Sequence, residues 1–533
     1  MTVIFIPFII AKKEEEAMLD NEFIQLRDDL SKELEPKRTK LELDCWNFYI
    51  NSTPENLRQY EISQEEVYKI FRNKETFDKL KEFKEKGLND THLAKQLKDL
   101  LRDFDEELNT GAIKRVLRDK ENEIAQKYNS YIATIDGQEI TKPEISKLLQ
   151  TEKDVTLRKK AYEARVKGGD LIADNMVKFI NMRNAFSKTK GYNNYFDYAI
   201  TELYDVQPKY LDELLNDVYA NAKDLNYAIQ EKNKKELAAE YGISEDDLKA
   251  YHYGLLLDNN PRKEVNKSFA TTEQVVDIAK QTYLKMGYNI DNMPITLDLF
   301  PRQNKNTHGF CFCIQPGKDS RILANLTNDS NSLDTLCHEL GHCVYNIGIS
   351  NELPYMDQDE TPAMTEAVAM MMGDLQQRED ILKGIVPDDV LERFKADFKN
   401  SEAKFISRSM LIIEFEKRMY ENPEQDLQQL WLDLRIKYLL ANPDDEKNNE
   451  WATIPHYLSH PGYYQNYFRA NLIKAQLYSF LRNKFGALTD NKTTAHYLGE
   501  KLFKYGTSIE ENDLIKIFTG EPLSSKALCD NLK

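Results

Sequence analysis

The stretch "LDTLCHELGHCVYNIGI", residues 333–349, sets two histidines four positions apart, with a glutamate directly after the first. On an α-helix, positions i and i+4 lie one turn apart on the same face. His338 and His342 can therefore point two imidazoles at one ion, with Glu339 to one side. This is the H-E-x-x-H signature of zinc sites, with two neutral nitrogen ligands and a carboxylate as general base. Leu333, Leu336, Leu340 and Val344 make the helix largely apolar, which puts its polar residues inside the protein. Buried imidazoles and a buried carboxylate are costly without partners. Two surface histidines on one helix would be the plainer reading, and the apolar surroundings argue against it.

A catalytic zinc needs a third protein ligand and an open position. A third histidine six residues after His342 is ruled out, because that position is Gly348. Downstream, "DETPAMTEAVAMMMGDLQQ" (359–377) predicts a new helix, with Thr361 as N-cap and Pro362 at the first helical position. Within it Glu366 stands among Ala363, Met364, Ala367, Val368, Met370, Met371 and Met372. A lone carboxylate in so apolar a run calls for a cation. Glu366, 24 residues after His342, is the expected third ligand; a solvent-facing glutamate on a core helix is the alternative.

The whole chain sets outer limits. Its 533 residues leave room for a sizeable core, and its composition (41% hydrophobic, 30% charged) is that of an ordered, soluble protein. A net charge of -17 argues against sequence-independent nucleic-acid binding, which needs a basic surface. No window approaches the roughly 20 apolar residues of a membrane-spanning helix. Low-complexity tracts, short repeats and a GxxxxGK[ST] phosphate loop are absent from the sequence. "MTVIFIPFIIAKKEEE" opens apolar and turns abruptly charged, without the positive residues that precede the apolar stretch of a secretory signal. Residues 1–17 read either as the remnant of a longer export signal, which implies a periplasmic or exported protein, or as a buried or frayed N-terminal segment, which implies a cytoplasmic one. The cysteines at 45, 311, 313, 337, 343 and 529 do not form a disulfide framework. Cys337 and Cys343 would lie about 9 Å apart along one helix, beyond bridging distance.

Elsewhere apolar residues recur at three- and four-residue spacing over 11–42, 62–86, 92–128, 143–190, 208–240, 272–287, 363–420, 424–441 and 463–484, which predicts amphipathic helices. One region differs: "HGFCFCI" (308–314), the turn "QPGKDS" and "RILANL" (321–326) predict a hairpin just before the histidine helix. With no Pro/Gly/Ser-rich linkers, residues 18–533 read as one catalytic domain, its zinc-site core at about 300–480.

These residues resemble the gluzincin metallopeptidases. "HELGH" with a glutamate 24 residues on in "TEAVAMMMGD" is similar to the angiotensin-converting-enzyme (peptidyl-dipeptidase A) family, and the oligoendopeptidase F and thimet oligopeptidase family uses similar spacing. "LELDCWNFYINST", "MVKFINMRNAFSKTKGYNNYFDYA" (176–199) and "LWLDLRIKY" (430–438) resemble the converting-enzyme family; "IPHYLSHPGYYQNYF" (454–468) resembles both. The resemblance implies a mainly α, two-lobed fold with a deep central channel and a small antiparallel sheet beside the zinc helix. It implies one zinc ion on His338, His342 and Glu366, Glu339 as base, and hydrolysis of short peptides, as a peptidyl-dipeptidase or, alternatively, by internal cuts. A catalytically silent peptide-binding module is the remaining alternative, and it would need a broken motif.

The resemblance also implies that His456 and Tyr467 stabilise the oxyanion, with Tyr463 or Tyr464 as a second phenol facing substrate and His460 competing for the histidine role. His308 and Gly309 stand where the family's substrate-contacting His-Ala pair sits, on a strand whose free edge takes an extended peptide. Three departures stand out. The lysine that grips a C-terminal carboxylate is Ile454 here, the chloride-binding arginine is Asn466, and the carboxylate four residues after the third ligand is Met370. Asp334 and Asp374 are the candidates to replace that last group beside the zinc ligands.

Overall fold

The computed structural model describes the backbone of residues 5–533 and the side chains from Ala17 onward. The expected remnant of an export signal at residues 1–17 lies almost wholly outside the described side chains. The chain is mainly α, with one two-stranded and one three-stranded sheet among the described residues.

The elements that position the site are scattered along the chain. They are α1 (Phe5–Ile50), α2 (Val155–Thr189), β1 (Ile295–Asp298), β2 (Phe310–Gln315), β3 (Asp319–Leu323), α3 (Ser330–Gly348), α4 (Pro362–Gly373), α5 (Phe398–Glu421) and α6 (Tyr464–Phe485). Capping residues cut several of the long predicted helices. The run over 143–190 breaks at Asp154, whose carboxylate accepts the N–H groups of Thr156 and Leu157 and so starts α2. The run over 62–86 breaks at Asn73, which accepts the Thr76 N–H in the same way.

The predicted hairpin is β2–β3, paired antiparallel with Phe310 opposite Leu323 and Phe312 opposite Arg321. Gly317 takes φ +70° in its turn, a conformation that costs glycine little. The sheet is not purely antiparallel as expected: β1 joins β3 in parallel, Ile295 opposite Ser320, and the order is β1-β3-β2. This pairing escapes a sequence reading because β1 is only four residues long and follows a helix and a turn. It leaves β2 on the outside of the sheet.

Alternation along β2 then decides what packs on each face. Phe310 and Phe312 meet α1, with Tyr49 5.4 Å from Phe310 and Trp46 5.4 Å from Phe312, both edge-to-face. Cys311 faces the opposite way, its Sγ 3.4 Å from the Cys343 Sγ on α3. The strand is thus held between the first helix and the histidine helix.

Two large apolar cores flank the site. One gathers Leu333, Leu336, Leu340 and Val344 of α3 with Ala367, Val368, Met371 and Met372 of α4 and Ile473 and Leu477 of α6. The other joins Phe179 and Ile180 of α2, Ile412 and Phe415 of α5, and Phe468 and Leu472 of α6. Helix α6 therefore contributes one face to each core. Each such fully buried side chain contributes about 1.5–3 kcal/mol, so the position of α6 is strongly determined.

Candidate metal centre and active site

Helix α3 starts at Asp329, whose carboxylate accepts the Ser332 N–H. Its apolar face is buried, and the Tyr283 hydroxyl donates to the Cys337 carbonyl from behind at 2.6 Å. Helix α4 crosses α3 at very short range. A Cβ on Gly341 would sit 2.7 Å from the Ala369 Cα, and one on Gly373 would sit 3.0 Å from the Asp334 Oδ1. Small residues at this crossing allow Glu366 to reach the histidine pair.

The three expected ligands do converge. His338 Nε2 lies 3.2 Å from His342 Nε2 and 3.7 Å from Glu366 Oε2. Together they form the one group among the described residues that could hold a metal ion, with ligand atoms all within 4.8 Å of one another. Two nitrogens at about 2.05 Å from a tetrahedral ion would stand about 3.3 Å apart, which the observed spacing fits.

The charges around this group fit a cation as well. Burial holds His338 down to about 4 and His342 well below its ordinary value, so both rings are neutral. Burial also pushes Glu366 up to about 7 and, with the charge of Glu366 nearby, Glu339 up to about 8. Two buried carboxylates, one of them raised further by the charge of the other, are relieved by a bound dication.

Glu339 lies under the mouth of β2. A Cβ on Gly309 would stand 3.6 Å from Glu339 Oε1 and 3.1 Å from Thr335 Cγ2, so the backbone passes close over the carboxylate. A hydrogen bond from the Cys311 backbone opposes the effect of burial on Glu339. His308 is exposed and its ring contact is with Phe310.

The late aromatic residues form one cluster at the start of α6. The His456 ring centre lies 4.8 Å from Tyr464 and 5.9 Å from Tyr467, and Tyr463 lies 5.0 Å from Tyr467. Burial and then the negative charge of Glu366 raise Tyr467 to about 12 and Tyr463 further still, so both phenols stay protonated. His456 Nδ1 is buried without a hydrogen-bond partner among the described residues. His460 is exposed and occupied with the Ser459 hydroxyl at 2.8 Å, which favours His456 over it.

Several expectations need correction. Thr361 begins α4 as expected, but its hydroxyl does not cap the helix; it donates to Glu511. Neither Asp334 nor Asp374 is hydrogen-bonded to a ligand histidine among the described residues. Asp334 accepts from Gln376 at 3.3 Å, and Asp374 pairs with Lys474 at 2.8 Å. Thr365, not singled out in the sequence, meets His342 Nδ1 at 2.6 Å. Tyr204, some 260 residues before Tyr463, joins the aromatic cluster at 5.7 Å. Neither residue carries a local signal: a threonine beside a glutamate, and one tyrosine among 29.

Comparison with known families agrees with this geometry. Residues 148–533 match the family described as peptidase family M3, and residues 13–251 match the family described as angiotensin-converting enzyme. No curated protein matches the chain. No helix among the described residues is long and apolar enough to cross a membrane. The M3 match spans more than half the chain, and both families consist of zinc-dependent enzymes acting on peptides. The chain belongs to peptidase family M3 and is a zinc metallopeptidase, a hydrolase of peptide bonds.

Proposed function

We propose that this metallopeptidase cuts short peptides internally, as an oligopeptidase, with His338, His342 and Glu366 holding the zinc ion. Ile454 is the observation that carries the preference for internal cuts. Where the converting-enzyme family sets a lysine for the substrate's C-terminal carboxylate, this chain buries an isoleucine within an apolar core. A buried apolar side chain offers nothing to a carboxylate.

When bound, zinc polarises the scissile carbonyl and acidifies the water beside it. The peptide backbone lies along the outer edge of β2, where main-chain hydrogen bonds hold many sequences alike, and Gly309 leaves space for its approach. Glu339 accepts a proton from the attacking water on a carboxylate oxygen and delivers it to the leaving amine nitrogen. Tyr467, with His456 beside it, donates to the oxygen on which negative charge develops, a contribution of several kcal/mol for a well-aimed donor. Burial of the group excludes bulk water and strengthens each of these interactions.

The test uses peptides of about eight residues, with free or amidated C-termini, and reads the products by mass spectrometry. Internal cuts indifferent to amidation support the proposal. Dipeptides released only from free C-termini would replace it with the peptidyl-dipeptidase reading, which the match of residues 13–251 to the converting-enzyme family favours. A peptide that stabilises the protein uncut would point to a binding module.

A further inference from the structure

We propose that Thr365 is a positioning residue of the metal centre: its hydroxyl fixes the tautomer and ring orientation of His342. The inference rests on the zinc reading above. To present an Nε2 lone pair to a cation, a neutral imidazole must carry its proton on Nδ1. His342 Nδ1 faces Thr365 Oγ1 at 2.6 Å, so Nδ1–H donates and the hydroxyl accepts. With Nδ1–H donating to Oγ1, the lone pair on Nε2 is left free for the cation.

Two further observations single out this route. Thr365 is 7% exposed, and among the described residues no hydrogen bond ties its hydroxyl to its own helix, although a helical threonine commonly bonds a carbonyl three or four residues back. The carboxylate positions that could have served His342 are either apolar, as at Met370, or engaged elsewhere, as at Asp334 and Asp374. Because Thr365 directly precedes Glu366, one turn of α4 supplies both a ligand and the orienting group for another. The β-branched side chain restricts χ1 and keeps the hydroxyl aimed.

The test measures zinc affinity by competition with a chromophoric chelator, for wild type, Thr365→Val, Thr365→Ala and Thr365→Ser, with the thermal midpoint of each metal-free protein as a control on folding. Loss of a partner that orients a metal-binding histidine typically costs about 10–100-fold in metal affinity. Thr365→Val and Thr365→Ala are expected to lose that much, and Thr365→Ser to stay near wild type. Should Thr365→Val fold poorly, Thr365→Ala against Thr365→Ser carries the comparison. Wild-type affinity in Thr365→Val, or equal loss in Val and Ser, would overturn the proposal. Wild-type protein that fails to take up one zinc would instead overturn the zinc reading beneath it.

Discussion

Gly341 and Ala369 mark the point where the two ligand-bearing helices touch: a Cβ added to Gly341 would lie 2.7 Å from the Ala369 Cα and 3.3 Å from its nitrogen. Both are backbone atoms, so the clash cannot be relieved by turning a side chain. Gly341→Ala is expected to push α4 away from α3, costing about 1–3 kcal/mol of stability as overpacking does. It is also expected to weaken zinc binding, because Glu366 moves with α4. Denaturant unfolding of the metal-free protein and chelator competition of the loaded protein read the two effects separately. Unchanged zinc affinity in a destabilised variant would show that the crossing does not set the ligand geometry.

Glu339→Gln should keep its zinc and lose turnover. The amide cannot accept the proton from water, and removal of a positioned general base typically costs about 10²–10⁴-fold. Metal content by mass spectrometry and kcat on a cleaved peptide check this together. Near-normal kcat with one zinc bound would remove Glu339 from the role of base.

Tyr467→Phe is expected to lower kcat by about 10²–10³-fold with little change in KM, the pattern for a donor used only as charge develops. His460→Ala, by contrast, is expected to behave like wild type, since His460 is exposed and turned to Ser459. A reversal, with His460→Ala the more damaging, would mean that the loop at 459–463 rearranges around substrate.

The segment that leads into α4 carries a stability term that depends on pH. His92 Nε2 lies 2.8 Å from Asp357 Oδ1, which also accepts from Gln96 at 2.7 Å. The Asp357 hydrogen bond raises the His92 pKa; burial and Lys95 oppose it, and Asp90 adds to it. The folded value thus exceeds the unfolded one of about 6.5. The protonated form is favoured by folding, so this stabilisation is complete below the unfolded pKa and fades as pH rises through the folded value. The gap in urea midpoint between wild type and His92→Gln should shrink from about pH 5.5 to about pH 8.5. A gap that is flat or widens with pH would show that His92 is not the group responsible.

Much of the site was legible because its chemistry has a local spacing. Four residues on a helix bring His338 and His342 to one face, and Glu366 stands out as a single charge in a run of alanine and methionine. Partners contributed from a distance were not legible. Thr365 is recognisable only once His342 Nδ1 points at it, and Tyr204 only once the loop that carries it meets Tyr463 at the start of α6. The short hairpin Ala133–Ile140 went unread although Asp136 and Gly137 both take positive φ in its turn, as a two-residue Asp-Gly loop requires. Three-residue strands carry too little alternation to compete with the helical pattern on either side. The long helical runs were read as unbroken because apolar spacing persists across Asn73 and Asp154, and the capping hydrogen bonds there are what end one helix and begin the next.

The most direct test of the central claim, hydrolysis of peptides at a zinc centre built on His338, His342 and Glu366, is a metal titration. The protein is stripped with a chelator, zinc is restored in steps, and cleavage of an internally quenched peptide is followed. Activity that vanishes on stripping and returns in proportion to zinc up to one equivalent per chain is the predicted result. Cleavage that survives stripping, or none at any zinc level, would contradict it.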